Sequence, residues 1–372
     1  MVYFEIQLIA VVVVAACAIP GVFLILRQMS MMTDAISHTV LLGIVFAFFI
    51  THDLGSPLLI AGAAFMGIFT VYFTEVLNQT KQMSEDSAIG IVFPFLFSIA
   101  IVLISMMARN VHLDVRCVLL GELVFAPSYR LVIGGSDLGP RALYTMGTIL
   151  VINLVFVTLF FKELKLTTFD AGLATALGFA PVFMHYALMT IVSITAVGAF
   201  EAVGSVLVIA FMIGPAATAY LLSNDIKKLI VLSILIGALN AIIGFWLAMW
   251  IDVSISGMMA VVTGLTFLLV FAFGKENGLV AIARRRKQQE KDFADLTMLF
   301  HIFRHEESER AHIENGIATI SKHLNWKESK IEARAANLIG KGFLVKENNQ
   351  LILTEAGRNY TKASFASLIQ GK

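Results

Sequence analysis

Ile6-Gln-Leu-Ile-Ala-Val-Val-Val-Val-Ala-Ala-Cys-Ala-Ile-Pro-Gly-Val-Phe-Leu-Ile-Leu26 and Ala35-Ile-Ser-His-Thr-Val-Leu-Leu-Gly-Ile-Val-Phe-Ala-Phe-Phe-Ile-Thr51 are two apolar runs, and between them only Arg27 and Asp34 are charged. Each run is close to the roughly 20 residues an α-helix needs to cross a bilayer core. Only a helix satisfies its own backbone there. The first run lacks a basic start and leads straight into more apolar sequence, so it reads as a span rather than a cleavable signal peptide. Seven further runs lie near residues 57–77, 88–108, 143–161, 182–200, 202–222, 229–250 and 255–273. The fold class expected is an all-α polytopic membrane bundle of eight or nine transmembrane helices.

The charge distribution agrees. The chain has 372 residues, 58% hydrophobic and 14% charged, where a soluble domain carries about 25% charged residues. Residues 1–274 hold 24 of the 53 Lys, Arg, Asp and Glu, and the last 98 residues hold 29. A single soluble globule is excluded. The division expected is a membrane domain over 1–274, a basic linker over 275–290 and a small soluble domain over 291–372. Cys17 and Cys117 are too few for a disulfide framework and read as packing residues.

Orientation follows from Lys and Arg in the loops. With the C-terminus inside, the cytoplasmic loops receive Arg27, Lys81, Lys162 with Lys165, Lys227 with Lys228, and Arg284–Lys287. The loop 109–142 disagrees: it must lie outside, yet carries Arg109, Arg116, Arg130 and Arg141. Its apolar stretch 117–127 and Gly134, Gly135 and Gly139 suggest a partly re-entrant or surface-lying segment. A multi-pass membrane protein with a cytoplasmic C-terminus is expected.

Nothing in the membrane half reads as an enzyme. A phosphate-binding Gly-x-x-x-x-Gly-Lys-Ser/Thr loop is absent from the sequence, so the chain does not bind ATP through a P-loop of its own. Ionisable residues inside apolar runs are costly and point to function. The sharpest are Asp34 and His38, spaced i and i+4 and so on one helix face. A carboxylate and an imidazole together suit manganese, zinc or iron, whereas calcium and magnesium prefer oxygen alone. Two ligands are too few, and a second copy from a facing subunit would supply four. The competing reading is an Asp–His hydrogen bond that caps or staples the helix start. Glu201, between two runs, is either a cation-attracting group at the outer mouth or a cap of a tight turn. Met184 and His185 read as interfacial, Glu75 as snorkelling to water, and Glu122 as solvated. Gly198, Gly204, Gly214 and Ala216–Ala217 would let helices approach closely, and Pro215 would kink its helix.

Residues Lys162–Gly178 read as a loop followed by a short helix capped by Thr168 or Asp170 and ended at Gly178. Phe169, Leu173 and Leu177 form one apolar stripe, which needs either a partner or the chain's own bundle to cover it.

Several motifs in one order carry a resemblance: Gly21 through Arg27 to Asp34-Ala-Ile-Ser-His38, Glu85-Asp-Ser-Ala-Ile-Gly90 to Pro94, Phe169-Asp170 to Gly178, and Ala202-Val-Gly204 to Gly214-Pro215 and Ala219. Over roughly 5–273 the chain resembles the manganese/zinc/iron class of ATP-binding-cassette import permeases. The resemblance implies a fold like that of the vitamin B12-type importers. It also implies a second permease subunit (a copy or a paralogue), cytoplasmic ATPase subunits, an external metal-binding protein, and alternating access along the dimer axis. No cofactor would be held permanently, the cargo being Mn2+, Zn2+ or Fe2+. Asp34 and His38 become permeation-site ligands, and Thr168 to Gly178 the helix that docks into the ATPase.

The tail, 291–372, is expected to form helices over 292–303, 313–324 and 328–340, a hairpin over 343–354 and a final helix. This resembles a winged-helix domain of the diphtheria-toxin-repressor type. Lys327, Lys330 and Arg334 would face DNA or a protein partner. Residues 288–372 nevertheless hold twelve Lys and Arg against eleven Asp and Glu, too even a balance for a strong nucleic-acid footprint. A membrane-tethered metal-responsive transcription regulator is the alternative function. His301, His305 and His312 are either a metal-sensing set or exposed helix histidines.

Overall fold

The computed structural model describes residues 2–52, 56–107, 123–133, 136–275, 278–306, 308, 311–347 and 350–369. It divides into two compact units between Leu279 and Val280. The first contains α1 (Val2–Leu26), α2 (Ser30–Thr51), α3 (Pro57–Gln79), α4 (Glu85–Met107), α5 (Arg141–Leu159), α6 (Phe161–Phe169), α7 (Ala171–Ala176), α8 (Pro181–Val203), α9 (Ser205–Leu222), α10 (Ile226–Ile251) and α11 (Ile255–Phe273). Among the described residues, nine of these are long and apolar enough to cross a membrane. They coincide with the nine apolar runs.

The most apolar run forms the centre of the bundle. α1 packs against α5, α8, α9 and α10, and its side chains from Val13 to Leu24 are all buried. Such a helix is apolar all round because it meets protein on every side. The tightest approaches occur where side chains vanish. A Cβ on Gly21 would stand 1.9 Å from the Met212 carbonyl oxygen, and one on Gly43 would stand 2.2 Å from that of Gly62. Gly198 and Gly214 lie instead against the side chains of Ile149 and Thr263. Some buried polar groups join helices: Asn153 Nδ2 donates to the Ala16 carbonyl and to Thr195 Oγ1, both at 2.9 Å. The Thr70 and Thr39 hydroxyls meet at 2.7 Å. α9 runs unbroken through Pro215.

Gly204 ends α8 and starts α9 at φ 83° and ψ 161°, a conformation essentially reserved for glycine. This is why one long apolar stretch becomes two helices. The described part of the loop before α5 contains a 3-10 turn (Ala126–Ser128) and a paired β1 (Arg130–Ile133) and β2 (Ser136–Pro140). Arg130 is paired there, 2.6 Å from Asp137 and 3.2 Å from Glu5. The Gly139 amide and the Arg130 guanidinium together hold the Asp137 carboxyl below its usual range. Arg109, Arg116, Cys117, Glu122, Gly134 and Gly135 lie outside the described residues.

The second unit contains α12 (Leu279–His305), α13 (Ala311–Glu314), α14 (Ile317–Leu324), α15 (Glu328–Gly340), the hairpin β3 (Leu344–Glu347) and β4 (Gln350–Leu353), and α16 (Glu355–Ile369). Its core gathers Met298, Leu299, Ile302, Ile320, Ile331, Leu338, Leu344 and Leu351. Two expectations change. The helix expected from 292 starts at 279 and includes Arg284–Lys287. The single helix expected over 313–324 is broken at Asn315-Gly316, because that backbone pairs with the hairpin: the Asn315 carbonyl accepts from the Leu351 amide at 3.1 Å, and Gly316 bridges Gln350.

Candidate metal centre

α2 starts at Ser30 behind Met29, with no side-chain cap, so Asp34 lies a full turn inside and does not cap it. His38 follows on the same face, its Nε2 3.4 Å from Asp34 Oδ1. The opposite face, with Met32, Thr33, Ile36 and Ser37, is buried. Burial of that face turns the acid and the imidazole toward a partly open side, where they are 39% and 27% exposed. The His38 ring packs against Phe93 and Phe97 of α4, with centroids 5.1 and 5.5 Å away. Its Nδ1 is buried without a hydrogen-bond partner. The arrangement is a carboxylate and an imidazole one turn apart on a helix face, the imidazole held by aromatic packing and both still reachable. It supplies at most two ligands, half of a four-coordinate set.

The other ionisable candidates are distributed differently. Glu201 is exposed on the last turn of α8. Glu75 does not stand alone: His185 Nε2 lies 3.7 Å from its carboxylate, joining α3 to α8. Met184 is buried.

The Lys162–Gly178 segment is helical almost throughout. α6 forms where a loop was expected, because Leu164 is fully buried among Ile19, Phe23, Val157 and Leu188. Asp170, not Thr168, caps α7: its Oδ1 accepts from the Leu173 amide at 2.8 Å. Gly178, at φ 85°, closes the helix. Its amide donates to Thr175 and that of Phe179 to Ala174, both at 3.0 Å, the two bonds of a Schellman stop. Phe169, Leu173 and Leu177 are 63%, 47% and 61% exposed. Beside them a cleft of about 690 Å³ is lined by Phe161, Lys165, Phe169, Asp225, Lys227 and Lys228. Thr168 serves another purpose, accepting from Arg27 Nε at 3.1 Å.

In the tail, Lys330 lies over the Trp326 ring at 4.4 Å and Lys327 is exposed. Arg334 does not project outward as the sequence suggests. It turns to the buried Asp295, which Asn337 and Lys341 also contact, at 2.7 and 3.0 Å. The histidines brought together are His301, His305 and His323. The last was missed because the helical spacing that reveals the first two says nothing about the next helix. The His312 side chain lies outside the described ones.

Residues 2–274 match the ABC 3 transport family. The chain is 41% identical to the zinc transport system membrane protein TroD of Treponema pallidum over 359 residues, 96% of this chain and 98% of that one. It is also 41% identical to the manganese transport system membrane protein MntD of Bacillus subtilis, over 78% of this chain and 99% of that one. Among solved structures it is similar to PsaBC from Streptococcus pneumoniae in complex with Fab. That match has a TM-score of 0.61 and 29% identity, over 74% of this chain and 92% of that chain.

Proposed function

The chain belongs to the ABC 3 transport family, and from that premise we propose that it is the permease subunit of an ATP-driven importer of divalent transition metal ions: manganese, zinc or iron. The observation that carries the reading is the Asp34 and His38 pair, on one face of α2 and still reachable. A second permease subunit presents its own pair across a two-fold axis, and four mixed oxygen and nitrogen ligands then cradle the ion. Such a set suits these metals, and it releases them more readily than a closed thiolate cage.

The ion reaches this site from an external metal-binding protein. Cytoplasmic ATPases drive alternating access by moving α7, whose cap and stop make it a rigid peg with Phe169, Leu173 and Leu177 facing outward. The tail lies in the cytoplasm with the C-terminus. Four helices, one of them a single turn, then a two-stranded hairpin and a closing helix, in that order, support a winged-helix reading. The inward turn of Arg334 to Asp295 favours a role in contacting protein over reading DNA.

Uptake of radioactive manganese or zinc by cells holding the whole transporter tests the site. Asp34→Ala and His38→Ala are expected to reduce uptake at least about tenfold, in the range seen for weakened metal coordination, at unchanged expression. Parental rates in both variants would overturn the assignment.

A further inference from the structure

We propose that the second unit holds a transition-metal site of its own, built from the imidazoles of His301, His305 and His323 beside the Glu314 carboxylate, and that it takes a zinc-class divalent cation. His301 and His305 stand one turn apart at the end of α12, and His323 reaches them from the last turn of α14. One ligand atom from each of the three lies within 4.8 Å of the other two. The ring centroids are 4.7 Å apart for His301 and His305, 5.3 Å for His301 and His323, and 6.0 Å for His305 and His323.

The surroundings suit a cation. The Glu314 carboxylate contacts His305 Nδ1, and its main-chain oxygen lies 3.3 Å from His301 Nε2. An oxygen on one ring nitrogen holds a metal-binding histidine in the tautomer whose other nitrogen is the ligand. Protonation of the three rings would place like charges side by side, whereas a metal needs them neutral. Burial already holds His301 toward the neutral form, lowering its pKa from the ordinary value. In a tetrahedral zinc site with Zn–N bonds of about 2.0–2.1 Å, neighbouring nitrogens stand about 3.3 Å apart. The exposed His323 side chain is free to close the remaining gap by a rotamer change. Three imidazoles, one of them braced by a carboxylate, favour zinc, cobalt or nickel over the hard cations. A bound ion would fasten α12 to α14. The site is separate from Asp34 and His38, and neither reading depends on the other.

The test uses the full-length purified chain carrying Asp34→Ala and His38→Ala, which removes the membrane pair as a competing ligand. Titration with Zn2+ against a chromogenic chelator is expected to show one equivalent bound. Adding His323→Ala is expected to weaken it at least about tenfold. His323 is exposed, so this change leaves the core around Ile320 and Ile331 intact, which circular dichroism checks. Cobalt titration is the second readout, with visible d–d absorption of a nitrogen-rich site expected in the parent and lost with His301→Ala. The proposal is overturned if zinc does not compete with the chelator, if affinity is equal with and without His323, or if cobalt produces no such band.

Discussion

Arg27 and Thr168 are joined across the chain: the guanidinium Nε donates to Thr168 Oγ1 at 3.1 Å, while Nη2 donates to Thr167 Oγ1 at the same distance. The clamp ties the turn between α1 and α2 to the last turn of α6, just ahead of the Asp170 cap. Asp34 follows Arg27 by seven residues, one turn into α2. On the transport reading, a push on α7 reaches α2 through this fork. Arg27→Ala in the reconstituted transporter is therefore expected to leave ATP hydrolysis near parental levels while metal uptake falls several-fold. Arg27→Lys, which cannot grip both hydroxyls in the same plane, should restore little. Equal ratios of uptake to hydrolysis in parent and variants would remove the clamp from the coupling route.

The Asp170 side chain caps a helix of only six residues. Losing such a cap costs about 1 kcal/mol, a large share of what so short a helix has. Asp170→Ala is expected to weaken co-purification of the ATPase subunit, and Asp170→Asn, which still accepts the Leu173 amide, to restore it. Undiminished co-purification in the Ala variant would count against α7 as the docking element.

Gly43 and Gly62 hold α2 and α3 in backbone contact. Gly43→Val must separate the helices, since even its Cβ would stand 2.2 Å from the Gly62 oxygen. The expected result is a marked loss of monodisperse protein in detergent. Gly90→Ala is the control: nothing lies within 4 Å of a Cβ there, and a helical alanine is favoured over glycine by up to about 1 kcal/mol. Similar melting of the two variants would contradict the packing.

Acidification acts on the second unit through His301. Burial holds its imidazole below the ordinary pKa, so the unfolded chain takes up the proton first, from about pH 6.5 downward. Stability is therefore complete above that value and declines as pH falls toward the lowered pKa. Hydrogen exchange over residues 296–324, corrected for intrinsic rates, should show less protection at about pH 5.5 than at about pH 7.5. His301→Gln should flatten the difference. A parental profile already flat would refute the assignment.

What could be read beforehand, and what could not, has a physical pattern. The spans were legible because crossing a bilayer demands long apolar runs. Asp34 and His38 share a face by spacing alone, and Asp170 and Gly178 have the local chemistry of a helix start and stop. Features that depend on distant partners were not legible. Residues 162–169 look polar enough for a loop, yet Leu164 is buried in a cluster with Ile19, Phe23, Val157 and Leu188 and draws them into a helix. Glu75 with His185, Glu5 with Arg130, and His323 with His301 each join separate elements, as does the Asn315 carbonyl that interrupts the expected tail helix. The spacing within one helix is silent about all of them.

The corner at Gly204 has a wider meaning than its size suggests. It sits in a backbone state open to the one amino acid without handedness, so a single missing methyl decides how two neighbouring pillars lean. Replacing that residue would not leave a local blemish. It would oblige both shafts, and whatever rests on them, to find a new inclination.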